Sequence, residues 1–316
     1  MKKNSLVIVL VGLFFMLIFS SCATNATTTV ATATAEPTFP YSDIVSVPGG
    51  TFTQTDTAAN SFQHTISAFK LGKYEVTYDL WYTVKAWALG NGYNFANEGM
   101  EGGAAVSGAA PTAAKYQPVT KVYWRDVIVW CNAYSEKSGL ASCYTYLGDV
   151  IKDSRDANAT ACDNAVCIWS NTGYRLPTEG EWQYAASYED GSSWTAYNYA
   201  SGATANYNDA IATGLVAWYD PNASYVTHNV GGKNANKLGI YDMCGNVQEW
   251  CWDIYGTYPG TSTNYKGFAS GSSRVLRGGD FNYAAILLQI GYRGYCSYIP
   301  GVSNHSVIGF RFARTN

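Results

Sequence analysis

Charged residues are scarce in this chain, and no segment of the mature chain concentrates positive charge. Asp, Glu, Lys and Arg make up 14% of the 316 residues, and the formal net charge is −3. A protein that binds nucleic acid carries a basic patch for the phosphate backbone. The sequence therefore predicts no nucleic-acid partner.

The residues of the commonest catalytic and zinc sites are also few or unsuitably spaced. The three histidines stand far apart: His64, His228 and His305. The cysteine pairs Cys162/Cys167 and Cys244/Cys251 do not have the spacing of a zinc site. The sequence also has no Ser/His/Asp motif and no phosphate-binding loop. These absences exclude structural zinc and predict no catalytic residue of those kinds.

One hydrophobic run stands out, and it lies at the N-terminus. Leu6–Phe19 follows two lysines and precedes two serines and Cys22, which is the pattern of an export signal over residues 1–21. The run is too short to predict a transmembrane helix. Cys22 resembles the lipidated cysteine of a bacterial lipobox, and an ordinary signal peptide with a chance cysteine is the alternative. We predict a protein of the bacterial cell surface or outer membrane, anchored in the membrane by lipid on Cys22.

Aromatic residues and cysteines, by contrast, are plentiful. The chain has 26 Tyr and 10 Trp, and 47% of it is hydrophobic, which predicts a sizeable core with loops that aromatic rings tie to it. Residues 22–43 are rich in Thr and Ala and predict a flexible tether, so that the ordered domain spans 44–316. Disulfides are possible among Cys143, Cys162 and Cys167, but their pairing stays open.

The pattern of the ordered part predicts an α+β fold with long loops. Strands are expected at 44–47, after the Gly-Gly turn that ends at Gly50, and at 67–74. Thr77 is expected to cap a helix, and a second helix is expected over 124–137 with Val127, Trp130, Cys131 and Tyr134 on one face. Thr178 and Glu181 form a capping box for a helix to about Ala186, and the last strands are expected at 274–279 and 308–313.

The stretch Leu238–Asp253, LGIYDMCGNVQEWCWD, organises this layout. Gly245 permits a tight turn, and large aromatics beside it would pin the turn to a core. Asp242, Asn246 and Glu249 supply oxygen atoms that suit a hard cation such as Ca²⁺. The alternative is an Asx-type turn that hydrogen bonds alone hold together.

Seven motifs in order resemble the formylglycine-generating-enzyme, or sulfatase-modifying-factor, domain. This resemblance implies a large, loop-rich variant of the C-type-lectin fold from about Val45 to the end of the chain. The motifs are VPGGTF (47–52), KYEVTYDLW (73–81), PVTKVYWRDVIVWCN (118–132), YRLPTEGEWQYAA (174–186), LGIYDMCGNVQEW (238–250), RVLRGGDF (274–281) and IGFRFA (308–313).

The resemblance implies structural calcium. Carried over position by position, the side chains of Asp242 and Glu249 and the carbonyls of Gly245 and Val247 would hold one Ca²⁺. A second, thinner match implies another site, formed by Asn206, Tyr207, Asp220 and Asn222.

The family's chemistry does not carry over with the fold. Its members oxidise a substrate cysteine with two thiols, which bind copper, just after the RGG motif. In this chain those positions hold Tyr283 and Leu288, so no sulfur donor is present and we expect no copper. We predict a non-enzyme with no catalytic residues. The alternative is an oxidase or other modifying enzyme with a degenerate or relocated active site.

The segment 280–307 also resembles the mutagenised end of the variable proteins of diversity-generating retroelements. It mixes aromatic, aliphatic and polar residues between two framework strands, as a binding loop on a rigid scaffold does. We predict that it forms a patch that binds an unknown protein or carbohydrate; an invariant relative with a fixed ligand is the rival hypothesis. The residues expected to face solvent together are Phe281, Tyr283, Ile286, Leu287, Tyr295, Tyr298 and His305.

Overall fold

A computed structural model describes residues 41–297 and 306–316 of the chain. Helices and short strands follow one another in no regular order. The signal peptide, Cys22, the tether up to residue 40 and residues 298–305 lie outside the described residues. From Thr38 onward the chain forms one unit. Among the described residues, no helix has both the length and the hydrophobicity that a membrane span requires.

Six α-helices and fifteen strands occur within the described ranges. The helices are α1 (Tyr78–Leu89), α2 (Trp124–Lys137), α3 (Ala159–Asp163), α4 (Glu179–Ser187), α5 (Ala210–Val216) and α6 (Asp220–Ala223). The first eight strands are β1 (Ile44–Val47), β2 (Gly50–Thr55), β3 (Ser61–Ile66), β4 (Phe69–Gly72), β5 (Met100–Glu101), β6 (Val119–Thr120), β7 (Tyr144–Tyr146) and β8 (Asp149–Val150). The others are β9 (Val166–Cys167), β10 (Gln248–Ile254), β11 (Ser262–Thr263), β12 (Ser273–Arg277), β13 (Gly294–Ser297), β14 (Ile308–Gly309) and β15 (Ala313–Thr315).

The sheets are small, and one of them carries the predicted binding segment. Its strand order is β13-β12-β10-β14, with β12 antiparallel to both of its neighbours and β14 parallel to β10. The three-stranded sheet β1-β4-β15 joins the two ends of the domain, and the sheet β11-β3-β2 joins strands near its N-terminus to residues 262–263. The fold is therefore α+β with short, mostly antiparallel strands, as the sequence predicts.

Local signals in the sequence account for where the main helices begin. The Leu80 N–H donates to Thr77 Oγ1 at 3.3 Å at the start of α1. At α4 the Glu181 N–H donates to Thr178 Oγ1 at 3.1 Å, and the Thr178 N–H donates to Glu181 Oε2 at 2.8 Å. Both predicted caps are confirmed.

Tryptophan rings form much of the core, and most of their N–H groups donate to backbone carbonyls. Trp81 and Trp130 stack at 5.9 Å between ring centroids and join α1 to α2. Trp250 Nε1 donates to the Val122 carbonyl at 3.0 Å, which connects β10 to the residues just before α2. Residues 124–135 are all buried, so α2 packs on every side and not only on the predicted face.

Several expectations about strands and cysteines were wrong. The strand expected at 67–74 is shorter (β4), and the separate strand β3 before it was missed. The expected strand 308–313 is split, because β14 pairs with β10 while β15 pairs with β4 in another sheet. Helices α5 and α6 and strand β10 were missed within a part expected to be irregular. All seven cysteines of the described residues are buried, and no disulfide forms among them.

Candidate ligand-binding surface

A tight turn between Asp242 and Gln248 fixes the start of the segment predicted to bind. Gly245 has φ +80°, and a Cβ there would lie 2.2 Å from the Trp218 carbonyl oxygen. The Gly245 N–H donates to the Gly278 carbonyl at 2.9 Å, and the Phe281 N–H donates to the Asn246 carbonyl at 3.0 Å. The turn therefore holds the chain on both sides of the Gly278–Gly279 pair.

A buried arginine neutralises the acidic part of this turn. Arg311 donates to both oxygens of Glu249, from Nε at 2.7 Å and from Nη2 at 2.6 Å. Trp182 Nε1 donates to Glu249 Oε2 at 2.9 Å. Both side chains of the ion pair are almost completely buried. Glu249 is thus a structural carboxylate that already has three hydrogen-bond donors.

Glu75 belongs to the same cluster and was missed by sequence reasoning. Its Oε2 accepts from Asn246 Nδ2 at 2.6 Å, and its Oε1 accepts from the Val247 N–H at 3.1 Å. Burial and the nearby Asp242 raise the pKa of Glu75 well above its usual value. Burial also raises the pKa of Asp242 to about 6. Nothing in the sequence indicated this contact, because Glu75 and Asn246 are 171 residues apart.

The predicted calcium ligands fit a cation only in part. Asp242 Oδ2 accepts from the Gly231 N–H at 2.6 Å and keeps its other oxygen for a further partner. Both oxygens of Glu249 accept hydrogen bonds from Arg311, and a guanidinium so close would repel a divalent cation. Within residues 41–297 and 306–316, no group of three or more His, Cys, Asp or Glu side chains is arranged to hold a metal.

The residues of the thinner second site make hydrogen bonds within the protein. Asn222 Oδ1 accepts from the Tyr219 N–H at 2.9 Å, and its Nδ2 donates to the Ala217 carbonyl at 3.0 Å, so this side chain caps α6. Asn206 Oδ1 accepts from the Asn208 N–H at 3.0 Å. The Tyr207 N–H donates to the Asn198 carbonyl at 3.0 Å, and the Asp220 N–H to the Tyr283 carbonyl at 3.2 Å. These contacts need no cation.

Of the two positions predicted to match the family's thiols, one is a buried leucine and the other a hydrogen-bonded tyrosine. Leu288 is fully buried in the core. Tyr283 is half-buried, and its hydroxyl accepts from Gln248 Nε2 at 3.1 Å. The same Gln248 Nε2 donates to Asp280 Oδ2 at 2.8 Å, and burial raises the pKa of Asp280 to about 6.

The segment from Asp280 to Ser297 contains both buried anchors and exposed side chains. Ile286 is 51% exposed and Tyr295 is 61% exposed, while Tyr283 and Leu287 are half-buried. Phe281 was expected to face solvent, but it is only 4% exposed. Its ring packs close to Gly103, so that it anchors the segment. Tyr298 and His305 lie outside the described residues, so their predicted exposure stays a prediction.

The exposed side chains stand on a backbone that is held at many points. The N–H groups of Ile290 and Gly291 donate to the carbonyls of Tyr199 and Tyr197, both at 2.7 Å. Arg293 donates to both oxygens of Glu179, at 2.5 Å from Nε and 2.8 Å from Nη2. Val275 in β12 pairs with Tyr295 in β13.

An open groove of about 540 Å³ lies next to this strand. It is lined by Asp56, Asn60, Ser61, Tyr255, Gly256, Thr257, Tyr258, Pro259 and Arg293. The ring of Tyr295 packs on the ring of Tyr255, at 4.4 Å between centroids. Arg293 lies over the Tyr258 ring at 4.2 Å. The groove therefore adjoins the exposed Tyr295. Residues from three distant parts of the chain line it, and they include aromatic, carboxylate and amide groups.

Comparisons with known proteins agree with this architecture. A family model described as "Sulfatase-modifying factor enzyme 1-like domain" matches residues 29–316. The chain therefore belongs to the family of sulfatase-modifying-factor domains.

Three relatives are similar over most of their length. The Chaperone protein LppX of Paenibacillus barcinonensis is 32% identical over 89% of this chain and 92% of its own. Treponema denticola variable protein 1 superposes with a TM-score of 0.67 at 31% identity, over 86% of this chain and 95% of its own. The structure of CarF superposes with a TM-score of 0.65 at 27% identity, over 87% of this chain and 98% of its own.

Proposed function

We propose that this chain is a non-enzymatic, lipid-anchored binding protein of the bacterial surface. Its binding patch comprises the exposed side chains of residues 280–307 and the adjoining groove at Tyr255. The observation that carries the proposal is that this segment combines exposed side chains with buried anchors. Ile286 and Tyr295 project into solvent from a backbone that Phe281 and Leu288 anchor in the core. Rigid support of exposed aromatic and aliphatic side chains lowers the entropic cost of binding.

The comparisons support binding over catalysis. The names of two relatives, a chaperone and a variable protein, denote no reaction. Similarity to a variable protein also favours the hypothesis that residues 280–307 differ between copies of the gene. The ligand that this patch suits is a protein or a carbohydrate, because the groove offers aromatic faces beside the carboxylate of Asp56 and the amide of Asn60.

Matched substitutions on two surfaces test the patch. The purified domain would be screened on a glycan array and against a peptide-display library, and any binder would be titrated. Ile286→Ala and Tyr295→Ala should weaken binding by about tenfold or more, which is the effect of losing one central contact. Ile211→Ala and Tyr225→Ala remove residues that are 80% and 69% exposed elsewhere, and they should have no effect. Equal affinity in all four variants would refute the location of the patch.

A copper titration tests the rival enzyme hypothesis. Cu(I) needs soft sulfur donors, and the two family positions hold Tyr283 and Leu288. We expect no tight, stoichiometric uptake of Cu(I) by the domain. Stoichiometric uptake with turnover of a cysteine-containing peptide would restore an oxidase with a relocated site.

The proposal includes the calcium that the resemblance implies, held by Asp242 and by the carbonyls of Gly245 and Val247. It does not include a free Glu249 carboxylate, since Arg311 occupies that group. A chelator should lower the melting temperature if this calcium braces the fold, because removing a ligand of the native state lowers its stability. An unchanged melting temperature would contradict a stabilising calcium ion and would indicate that Arg311 stabilises this turn without it.

Lipidation at Cys22 has its own test. Cells grown with an alkyne-labelled fatty acid should label the full-length protein, and Cys22→Ser should abolish the label and release the protein from the membrane fraction. Labelling that survives the substitution would contradict the anchor.

A further inference from the structure

A second pocket, away from the groove at Tyr255, is lined by two cationic side chains and an indole. Its volume is about 170 Å³. The residues around it are Ser67, Ala68, Phe69, Trp169, Arg175, Thr178, Glu181, Asn264, Lys266 and Thr315. Neither the predicted binding segment nor the turn at Gly245 contributes to this lining.

Arg175 contributes a buried positive charge to the wall of this pocket. The side chain is 2% exposed. Its two Nη atoms donate to the two oxygens of Glu181, each at 2.7 Å, and Nη1 also donates to the Leu176 carbonyl at 3.1 Å. Nε, however, is buried and has no hydrogen-bond partner among the described residues. A buried N–H on a charged group is costly to leave unsatisfied.

Lys266 brings a donor that is still available. Its ammonium lies 4.1 Å from the centroid of the Trp169 ring, and the Arg175 guanidinium lies 4.9 Å from the same centroid. No ion pair or hydrogen bond of Lys266 occurs within the described part of the chain. Burial lowers the pKa of Lys266 because its positive charge is partly removed from water.

The acceptors at the pocket are already used. Glu181 accepts from Arg175 at both oxygens, and its Oε2 also accepts from the Thr178 N–H at 2.8 Å. The Asn264 Oδ1 accepts from the Ser67 N–H at 2.8 Å. The two cations outnumber the one carboxylate by one, so the pocket has a formal charge of +1 and its available groups are hydrogen-bond donors.

We propose that this pocket binds a small monocarboxylate. A carboxylate oxygen would accept from the Lys266 ammonium, and its single negative charge would balance the excess positive charge of Arg175 and Lys266 over Glu181. A dianion such as phosphate would face the carboxylate of Glu181 with charge left over. The volume is well below that of pockets for drug-sized ligands, about 300–1,000 Å³, which limits the occupant to a few heavy atoms. This inference is independent of the proposed function.

Acetate is the simplest probe of this site. The domain would be labelled with ¹⁵N, the indole N–H signal of Trp169 assigned with Trp169→Phe, and sodium acetate titrated at constant ionic strength. We expect a saturable shift of the Trp169 signal. Lys266→Met keeps the aliphatic stem on the indole but removes the charge, so it should weaken acetate binding by about tenfold or more. Lys237→Met removes an exposed lysine elsewhere and should leave the affinity unchanged.

Calorimetry provides a second measurement that does not depend on the Trp169 signal, and phosphate and chloride serve as competing probes. Lys266→Arg, which restores the charge, should recover most of the acetate affinity. The proposal would be overturned by the absence of saturable acetate binding, by equal affinity in Lys266→Met and Lys237→Met, or by phosphate binding tighter than acetate. An identical response to chloride would also overturn it, because that response marks a general ionic effect.

Discussion

At the scale of single residues, buried arginines connect elements that are far apart in sequence. Arg311 joins the C-terminal motif to Glu249 in β10, and Arg293 joins the binding segment to Glu179 at the start of α4. Each arginine meets its carboxylate through two hydrogen bonds, which fixes orientation as well as charge. A buried pair of this kind specifies geometry, and the loss of one partner leaves an uncompensated charge.

Replacement of Arg311 should show this most clearly. Arg311→Met leaves Glu75, Asp242 and Glu249 buried without the guanidinium, so we expect a loss of about 3–5 kcal/mol in the free energy of unfolding at pH 7. Arg314→Met is the matched control, because Arg314 donates to the Thr172 carbonyl at the surface and lies over the Tyr174 ring but forms no ion pair with another described residue. It should cost less than about 1 kcal/mol. Urea unfolding measures both. Similar values for the two variants would contradict the role of Arg311.

Asp253 should make stability depend on pH. Its Oδ2 accepts from the Glu179 N–H at 2.7 Å, whereas Oδ1 is buried without a partner among the described residues. Burial and then the charge of Glu179 raise the pKa of Asp253 to about 8, against a smaller effect of Arg293. A folded-state pKa above the unfolded value of about 3.9 means that stability falls as pH rises from about 4 to 8.

Asp253→Asn removes this titration and keeps an acceptor for the Glu179 N–H. The variant should gain stability relative to the wild-type protein as pH rises, by up to about 1.4 kcal/mol per pH unit within that window. Melting temperatures at pH 5 and pH 8 measure the difference. If the two proteins have parallel pH profiles, Asp253 does not titrate as proposed.

At the scale of elements, the turn before β10 is the part on which the binding segment depends most. It fixes Gly278 and Phe281 through backbone hydrogen bonds, and its own conformation depends on Gly245. The residues that follow the turn form β10, whose register with β12 continues to β13 and Tyr295.

Gly239 and Gly245 have similar positive φ angles, so alanine substitutions at the two positions distinguish the cost of backbone strain from the cost of a steric clash. Gly239 has φ +77°, and a Cβ added there would meet nothing within 4 Å, so Gly239→Ala should cost about 1 kcal/mol from the left-handed conformation alone. Gly245→Ala adds a clash with the Trp218 carbonyl and should cost at least about 2 kcal/mol more. Thermal unfolding compares the two. Equal losses would show that the contact with Trp218 relaxes without consequence.

Local signals made some elements predictable, and long-range contacts made others unpredictable. The caps at Thr77 and Thr178 were predicted because each depends on residues within one helical turn. The burial of Phe281 was not, since its neighbour Gly103 is distant in sequence and lies in a segment without periodicity. The pairing of Glu249 with Arg311 was missed for the same reason, and the calcium prediction therefore counted a carboxylate that is already engaged.

At the scale of the whole molecule, family membership fixes the framework, and under the proposed function residues 280–307 would determine which ligand is bound. The match to the sulfatase-modifying-factor domain covers residues 29–316. The two positions predicted to match the family's thiols hold Tyr283 and Leu288, which have no sulfur. Buried residues of the segment maintain the framework, so they should tolerate little change. Exposed residues carry no such constraint and are free to vary with the ligand.

A comparison of sibling copies of this gene tests the account most directly. Over codons 280–297, differences should concentrate at the exposed positions Asn282, Ala284, Ile286 and Tyr295, and the anchors Phe281, Leu288 and Ile290 should be unchanged. Differences spread evenly over the domain, or concentrated at the three anchors, would contradict a rigid scaffold that presents a variable binding patch.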